Sequence, residues 1–396
     1  MQNGDDDAIM RPIMATHARF LDLPEGSFFL FGPRGTGKTT WLRQRLPHAL
    51  FINLLRPEVH RELAARPERL RERVRGAALP DVVIDEVQRL PDLLHVVHDL
   101  LEESAPPRFI LTGSSARKLR RGGVDLLAGR ATVKTLHPFM AAELPHFHLP
   151  DALRLGLVPL IVDAADPDAT LSAYAGLYVE QEVRAEGLVR DVGAFARFLE
   201  SISFSHAAVL NVSNVARECQ THRKTVEGYL TILEDLLLGF RVPVFTRRAA
   251  RQTAAHPKFY FFDAGVFRSL RPRGPLDRPE EIDGAALEGL VAQHLRAWMA
   301  YDGSGQELFF WRTRTGVEVD FIVYGADGFW AIEVKNTANV RRADVRALRS
   351  FVQDYPGCTP VLLHRGEDPL EIEGVRCLPV ADFLRDLRPG RALLEQ

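Results

Sequence analysis

Eight residues constrain this chain more than any others. Gly32-Pro33-Arg34-Gly35-Thr36-Gly37-Lys38-Thr39 follows the short apolar run FFLF (28–31) and leads into the helix-like TWLRQRL. The glycines let the chain fold back so that its N–H groups converge, and the following helix adds its positive end. Such a loop is built to hold phosphate. In that geometry Lys38 reaches the β- and γ-phosphates of a nucleotide and the Thr39 hydroxyl binds Mg²⁺. Gly32, Pro33, Arg34, Gly35, Thr36, Gly37 and Thr40 complete the binding set. A chance octapeptide would lack both the preceding strand and the following helix.

Val82-Val83-Ile84-Asp85-Glu86 supplies a second half, some 45 residues on. An apolar strand ending in Asp places Asp85 at the carboxyl edge of a sheet, where it can hold the metal through water. Glu86 is then positioned to orient the attacking water as general base. A third apolar run, FIL (109–111), ends in Thr112-Gly113-Ser114-Ser115. Thr112 and Ser114 there read either as a sensor of the nucleotide's state or as ordinary turn chemistry. Arg130, in LAGRA, reads either as an arginine finger or as a surface arginine. Three apolar runs separated by helical stretches read as buried parallel strands of an α/β sheet. In residues 56–75, seven arginines against four glutamates form a solvated helix face.

The chain has 396 residues with a net charge of −2, so a nucleic-acid contact must come from a local patch rather than a global field. Cys219, Cys358 and Cys377 show no framework spacing, which fits a reducing compartment. The Cys219/His222 and His95/His98 pairs lack the further ligands a zinc site needs. The amino terminus is acidic, and no stretch approaches the ~18 apolar residues of a membrane span. The expectation is a cytoplasmic protein without a membrane partner.

Residues 194–238 read as helix, then Asn211–Cys219, a turn, and Thr221–Leu238, the rhythm of a helix-turn-helix. Thr221, His222, Arg223, Lys224 and Thr225 lead the second helix. Arg241–Phe245 and Lys258–Phe262 suit the strands of a wing, with Arg247, Arg248 and Arg251 between them. Across 212–258 eight Lys/Arg face four Asp/Glu, which supports a DNA face; packing between domains is the alternative. Residues 271–284, rich in Pro, Gly and charge, read as a linker before a helix at 285–300.

The last third alternates ELFFWR (307–312), VEVDFIVY (317–324) and GFWAIEVK (328–335). Asp320 and Glu333 fall on adjacent strands, and Lys335 shares a face with Glu333. Glu288 lies on the helix before them. This set suits metal-assisted phosphodiester cleavage, with Asp320, Glu333 and Glu288 on Mg²⁺ or Mn²⁺ and Lys335 positioning water or stabilising charge. Carboxylates inside V-D-F-I-V and A-I-E-V-K are costly unless a metal or partner satisfies them. A degenerate nuclease-like fold kept for binding or assembly is the alternative.

With these residues in view, the chain resembles the AAA+-type P-loop ATPases of a prokaryotic family whose ATPase is joined to a carboxy-terminal domain of unknown function. The resemblance rests on GPRGTGKTTWL (32–42), VVIDEVQ (82–88), ILTGSSARKL (110–119), LAGRA (127–131) and LHPFMAAEL (136–144). FYFFDAGV (259–266), FFWRTRTGVEVDFIV (309–323) and AIEVKN (331–336) extend it. It implies a P-loop NTPase domain at 1–150, a helical linker and winged helix at 151–270, and a PD-(D/E)XK nuclease-like α/β domain at 284–396. It also implies ATP with Mg²⁺ as cofactors, DNA as partner and a homo-oligomer. No helical lid with a second sensor arginine follows the ATPase core, so the oligomer's size and whether Arg130 acts within or between chains stay open. The expected function is ATP-regulated DNA cleavage. ATP-switched DNA binding without cleavage and a signalling ATPase acting on proteins are the alternatives.

Overall fold

The FFLF run is buried along its whole length because it lies inside a parallel sheet. In the computed structural model, which describes residues 17–114, 127–178, 191–247 and 256–394, that sheet has five strands. They are β1 (Phe28–Phe31), β2 (Leu50–Asn53), β3 (Asp81–Asp85), β4 (Arg108–Gly113) and β5 (Thr132–Thr135), in spatial order β2-β3-β4-β1-β5. All neighbouring pairs are parallel. The three inner strands are covered on both faces and so read as continuous apolar runs. Phe29, Phe31, Val82, Ile84, Phe109 and Leu111 pack toward the helix Leu93–Leu101, while Phe28, Leu30, Val83 and Ile110 pack on the other face with Trp41. Because the strands run the same way, Gly32, Glu86 and Ser114 follow β1, β3 and β4 at one sheet edge.

The second of these cores continues without a break into the rest of the chain, through Phe198, Leu230, Tyr260, Leu287 and Phe321. Helices Val192–Ser203, Val212–Glu218 and Arg223–Asp235 follow one another, with Gln220 in the left-handed region (φ 53°) at the turn between the last two. The Asn211 side chain caps Val212–Glu218 by accepting from Asn214 N–H. Three short antiparallel strands accompany them: β6 (Ala208–Val209), β7 (Gly239–Val242) and β8 (Lys258–Phe261), in order β6-β8-β7. Asp263, just past β8, caps the helix Ala264–Leu270 through Val266 N–H (3.0 Å) and also takes Leu157 N–H (2.7 Å). It thereby ties Leu157 to the end of the three-stranded sheet. At Gly265 a Cβ would meet the Leu155 carbonyl at 2.2 Å, so only glycine permits this approach.

The expected linker 271–284 is shorter than the sequence suggested. The helix Pro279–Asp302 starts within it, because Pro at the first position and Glu280 and Glu281 in the first turn are helix-start chemistry rather than linker composition. An ion pair between Arg271 and Asp277 (2.8 Å) braces the residues before it. A six-stranded mixed sheet follows: β9 (Glu307–Arg312), β10 (Glu318–Gly325), β11 (Gly328–Lys335), β12 (Thr359–His364), β13 (Leu370–Ile372) and β14 (Val375–Pro379), in order β13-β14-β12-β11-β10-β9. β9, β10 and β11 are antiparallel neighbours; β11, β12 and β14 run parallel. No helix among the described residues is long and apolar enough to cross a membrane.

Candidate functional site

The loop Gly32–Gly37 turns over the end of β1 and opens the helix Lys38–Arg45. A Cβ on Gly32 would meet the Leu136 carbonyl at 2.4 Å, and Gly37 sits at φ 85° where side chains are strained. Lys38, nearly buried, donates to the carbonyls of Gly32 (2.7 Å) and Pro33 (3.2 Å). Its ammonium is thus held over the loop where phosphate oxygens would compete for it. The Thr39 hydroxyl donates to Asp85 Oδ2 (3.0 Å), and the Thr112 hydroxyl donates to Asp85 Oδ1. One buried carboxylate therefore joins the ends of β3 and β4 to the phosphate loop. Its partners here are neutral hydroxyls, so its charge is not cancelled. A hydroxyl and a carboxylate oxygen this close are the hard donors Mg²⁺ takes beside phosphates, so Thr39 and Asp85 fit that ion.

Glu86 lies just outside the strand in the left-handed region (φ 62°). Gln88 Nε2 donates to Glu86 Oε2 (2.6 Å) and contacts Ser114 Oγ (3.3 Å). Gln88 was not singled out from sequence, although it follows the Asp-Glu pair by only two residues. Thr112 is fully buried and serves Asp85 and the Glu86 N–H (3.3 Å), so it braces the carboxylates. Ser115 lies outside the described residues. Thr40 lines a small cavity of about 40 Å³ beside the loop with His17, Arg19 and Trp41.

Arg130 is not brought to this site. It precedes β5, whose first residue Thr132 pairs with Phe28, so it lies at the amino edge of the sheet, opposite the phosphate loop. There it pairs with Glu102. Any action of Arg130 on a nucleotide would have to be on that of a neighbouring chain.

The loop is also wired to the distant parts of the chain. Arg19 donates to the Thr36 carbonyl (3.0 Å), the His137 carbonyl (2.6 Å), Glu143 (3.1 Å) and the Tyr301 hydroxyl (3.3 Å). Tyr301 is near the end of the long helix Pro279–Asp302 and accepts from His137 N–H (3.0 Å). The Tyr174 hydroxyl donates to the Arg34 carbonyl (2.8 Å), and Leu160 N–H to that of Gly35 (3.1 Å).

At the carboxy-terminal sheet the expected residues do meet. Asp320 and Glu333 stand one position beyond the paired Phe321 and Ile332, and the β9–β10 register shifts between Val319 and Ile322, around Asp320. Such an irregularity re-aims a side chain. Lys335 Nζ donates to Glu333 Oε1 (2.5 Å), the shared-face geometry expected. The expected metal set of Glu288, Asp320 and Glu333 does not form, however. Lys258 of β8, 1% exposed, places its ammonium between Glu318 (2.5 Å), Glu288 (2.9 Å) and Asp320 (3.1 Å). Asp320 Oδ2 takes Val334 N–H (2.9 Å), Glu288 also takes the Tyr260 hydroxyl (2.6 Å), and Glu318 pairs with Arg312 (3.1 Å). Among the described residues no group of three or more His, Cys, Asp or Glu is arranged to hold a metal ion.

The electrostatics agree with this assignment. Burial alone would lower the Lys258 pKa, but Glu288, Tyr260, Asp320 and Glu318 overcome it and hold it well above the ordinary lysine value. Burial and the Asp320 charge push Glu288 up to about 7 and Glu333 well above the carboxylate range. Lys258 and Glu318 were missed as site residues because Lys258 read as part of a wing. A lysine at the head of the apolar run KFYFF was the available signal.

On the helical region, His222, Arg223 and Lys224 are exposed at the start of Arg223–Asp235, with Arg223 paired to Glu227 (2.9 Å). Arg241 pairs with Glu234, and Arg247 lies over the Tyr324 ring (4.7 Å) and pairs with Glu307, so both are engaged within the chain. Arg248 and Arg251 lie outside the described residues.

Comparison with known proteins agrees with the first part of this description. Residues 25–145 match the family described as an AAA domain. Residues 146–277 and 283–383 match two domains of unknown function, DUF8612 and DUF4143. The chain is similar to two uncharacterized proteins, one from Mycobacterium bovis and one from Mycobacterium tuberculosis. Each is 26% identical over 348 residues, covering 85% of this chain and 76% of the relative. The amino-terminal region is an AAA-like nucleotide-binding domain.

Proposed function

We propose that this AAA-like chain hydrolyses ATP and uses the nucleotide's state to control its grip on DNA, its carboxy-terminal domain serving binding or assembly rather than cleavage. The observation that carries the reading is Asp85, held at once by Thr39 of the phosphate loop and Thr112 of β4. Lys38 would leave the Gly32 and Pro33 carbonyls for the β- and γ-phosphates. Glu86, steadied by Gln88, would take the proton of the attacking water. Mg²⁺, held by Thr39 and through water by Asp85, would neutralise phosphate charge when bound.

The DNA part rests on the helical region. Three helices with the strand order β6-β8-β7 would suit a winged helix, and the exposed Arg223 and Lys224 lead the helix that would then enter a groove. Arg19, Tyr174 and Tyr301 offer a route by which a bound nucleotide moves the later domains. A homo-oligomer in which Arg130 reaches a neighbour's nucleotide is consistent with its place at the far edge.

Metal-dependent cleavage is the second reading. It is supported by the order helix, three strands, helix, strand through Pro279–Asp302, β9–β11, Arg346–Asp354 and β12, which would suit a PD-(D/E)XK nuclease-like fold, and by Asp320, Glu333 and Lys335 meeting on β10 and β11.

ATP turnover and duplex binding measured together over a range of salt test the proposal. Wild type should turn over ATP and bind DNA with an affinity that falls as salt rises. Lys38→Ala should lose turnover, and Arg223→Glu with Lys224→Glu should lose DNA affinity while keeping turnover. Turnover without any salt-dependent DNA affinity would point instead to an ATPase acting on proteins.

A further inference from the structure

We propose that Lys258 is a built-in cation standing where a nuclease-like site would carry a divalent metal ion, so that ammonium and metal are mutually exclusive occupants of one acidic cage. The inference rests on the nuclease-like reading of the carboxy-terminal sheet and assigns the occupant of its acidic centre.

Three carboxylates from two elements converge on a single Nζ: Glu288 from the long helix, Glu318 and Asp320 from β10. Oxygens 2.5–3.1 Å from one nitrogen surround it more loosely than the roughly 2.0–2.6 Å bonds of a divalent ion, so the cage as it stands suits an ammonium. The lysine comes from elsewhere, from a strand hydrogen-bonded to β6 and β7 on its two sides. Its backbone is fixed by that strand, and its side chain is 1% exposed.

One oxygen beside the cage is left over. Lys258 donates to Glu288 and Asp320 and pairs with Glu318 at 2.5 Å. Glu333 lies beside Asp320 and takes Lys335 on Oε1, while its Oε2 is buried with no hydrogen-bond partner. A metal ion with six or more ligand positions could have used that oxygen, whereas the Lys258 ammonium does not donate to it.

The test is Mn²⁺ binding to the full, nucleotide-free chain, followed by calorimetric titration and by the thermal midpoint with and without Mn²⁺. Wild type and Asp320→Asn should bind Mn²⁺ alike, with no ion that depends on Asp320. Lys258→Met, which keeps the length and removes the charge, should bind about one additional Mn²⁺ per chain at least tenfold tighter than wild type. Mn²⁺ should raise its midpoint, and adding Asp320→Asn should abolish both effects. An Mn²⁺ ion bound by wild type and lost in Asp320→Asn would overturn the proposal, as would a folded Lys258→Met chain that binds no more than wild type. Should Lys258→Met fail to fold, the wild-type and Asp320→Asn titrations decide by themselves. Neither DNA affinity nor ATP turnover enters these readings, so a failure here leaves the functional proposal standing on its own test.

Discussion

The molecule holds two acidic centres at sheet edges, and they differ in what neutralises them. At the nucleotide site Asp85 is held by two hydroxyls, from Thr39 and Thr112. At the carboxy-terminal site Asp320, Glu288 and Glu318 share the Lys258 ammonium. Hydroxyls orient a carboxylate without cancelling its charge, so Asp85 can still attract a cation carried by phosphates. An ammonium does both at once. The same residue type thus has neutral partners in one region and a cationic partner in the other.

The comparison can be broken most sharply at Glu86. Glu86→Gln should lower ATP turnover by about 10²–10⁴-fold, the usual range for removing a general base, with ATP affinity retained in a binding assay. Next, Lys258→Ala should cost about 3–5 kcal/mol in a urea titration, since it strands buried carboxylates without their partner. A loss near zero would mean the second centre is not held together by that ammonium.

A third carboxylate calibrates the other two. Asp263 is buried with only backbone N–H partners, and burial raises its pKa to about 6, overcoming the bonds from Leu157, Val266 and Gly265. The folded state therefore binds the proton more tightly than the unfolded chain. This group's stabilisation is full below about pH 4 and is lost as pH rises through about 6, a change on the order of 3 kcal/mol. Asp263→Asn should flatten that part of the stability–pH curve. The smallest effect is expected from Thr112→Val, which removes one hydroxyl from Asp85 and should cost about 1 kcal/mol in stability, with a measurable fall in turnover.

What the sequence reveals follows from how local each feature is. The phosphate loop and Asp85-Glu86 are contiguous, and their strands are inner strands with unbroken apolar runs, so both fold and site could be read there. β5 is an edge strand, TVKT, exposed or half-buried, and carries no such run. Without it the sequence offered no way to see that Arg130 lies at the wrong edge of the sheet. Pro279, Glu280 and Glu281 looked like linker because the same residues serve loops and helix starts. Lys258 lies 62 residues from Asp320 and Arg19 lies 282 from Tyr301. Such contacts depend on how sheets and helices dock, and no spacing rule announces them. Asp320, Glu333 and Lys335 could be placed together from sequence because strand periodicity is local; the contact of Lys258 with Asp320 could not.

The most direct measurement of the difference between the two centres follows ATP and labelled DNA in one reaction, with Mg²⁺ or Mn²⁺ present, on duplex, single-stranded and branched substrates. Wild type should consume ATP and leave every DNA intact, with Lys38→Ala consuming none. DNA cleaved by wild type and spared by Glu333→Ala would contradict the account, because it would make the carboxy-terminal centre an active metal site.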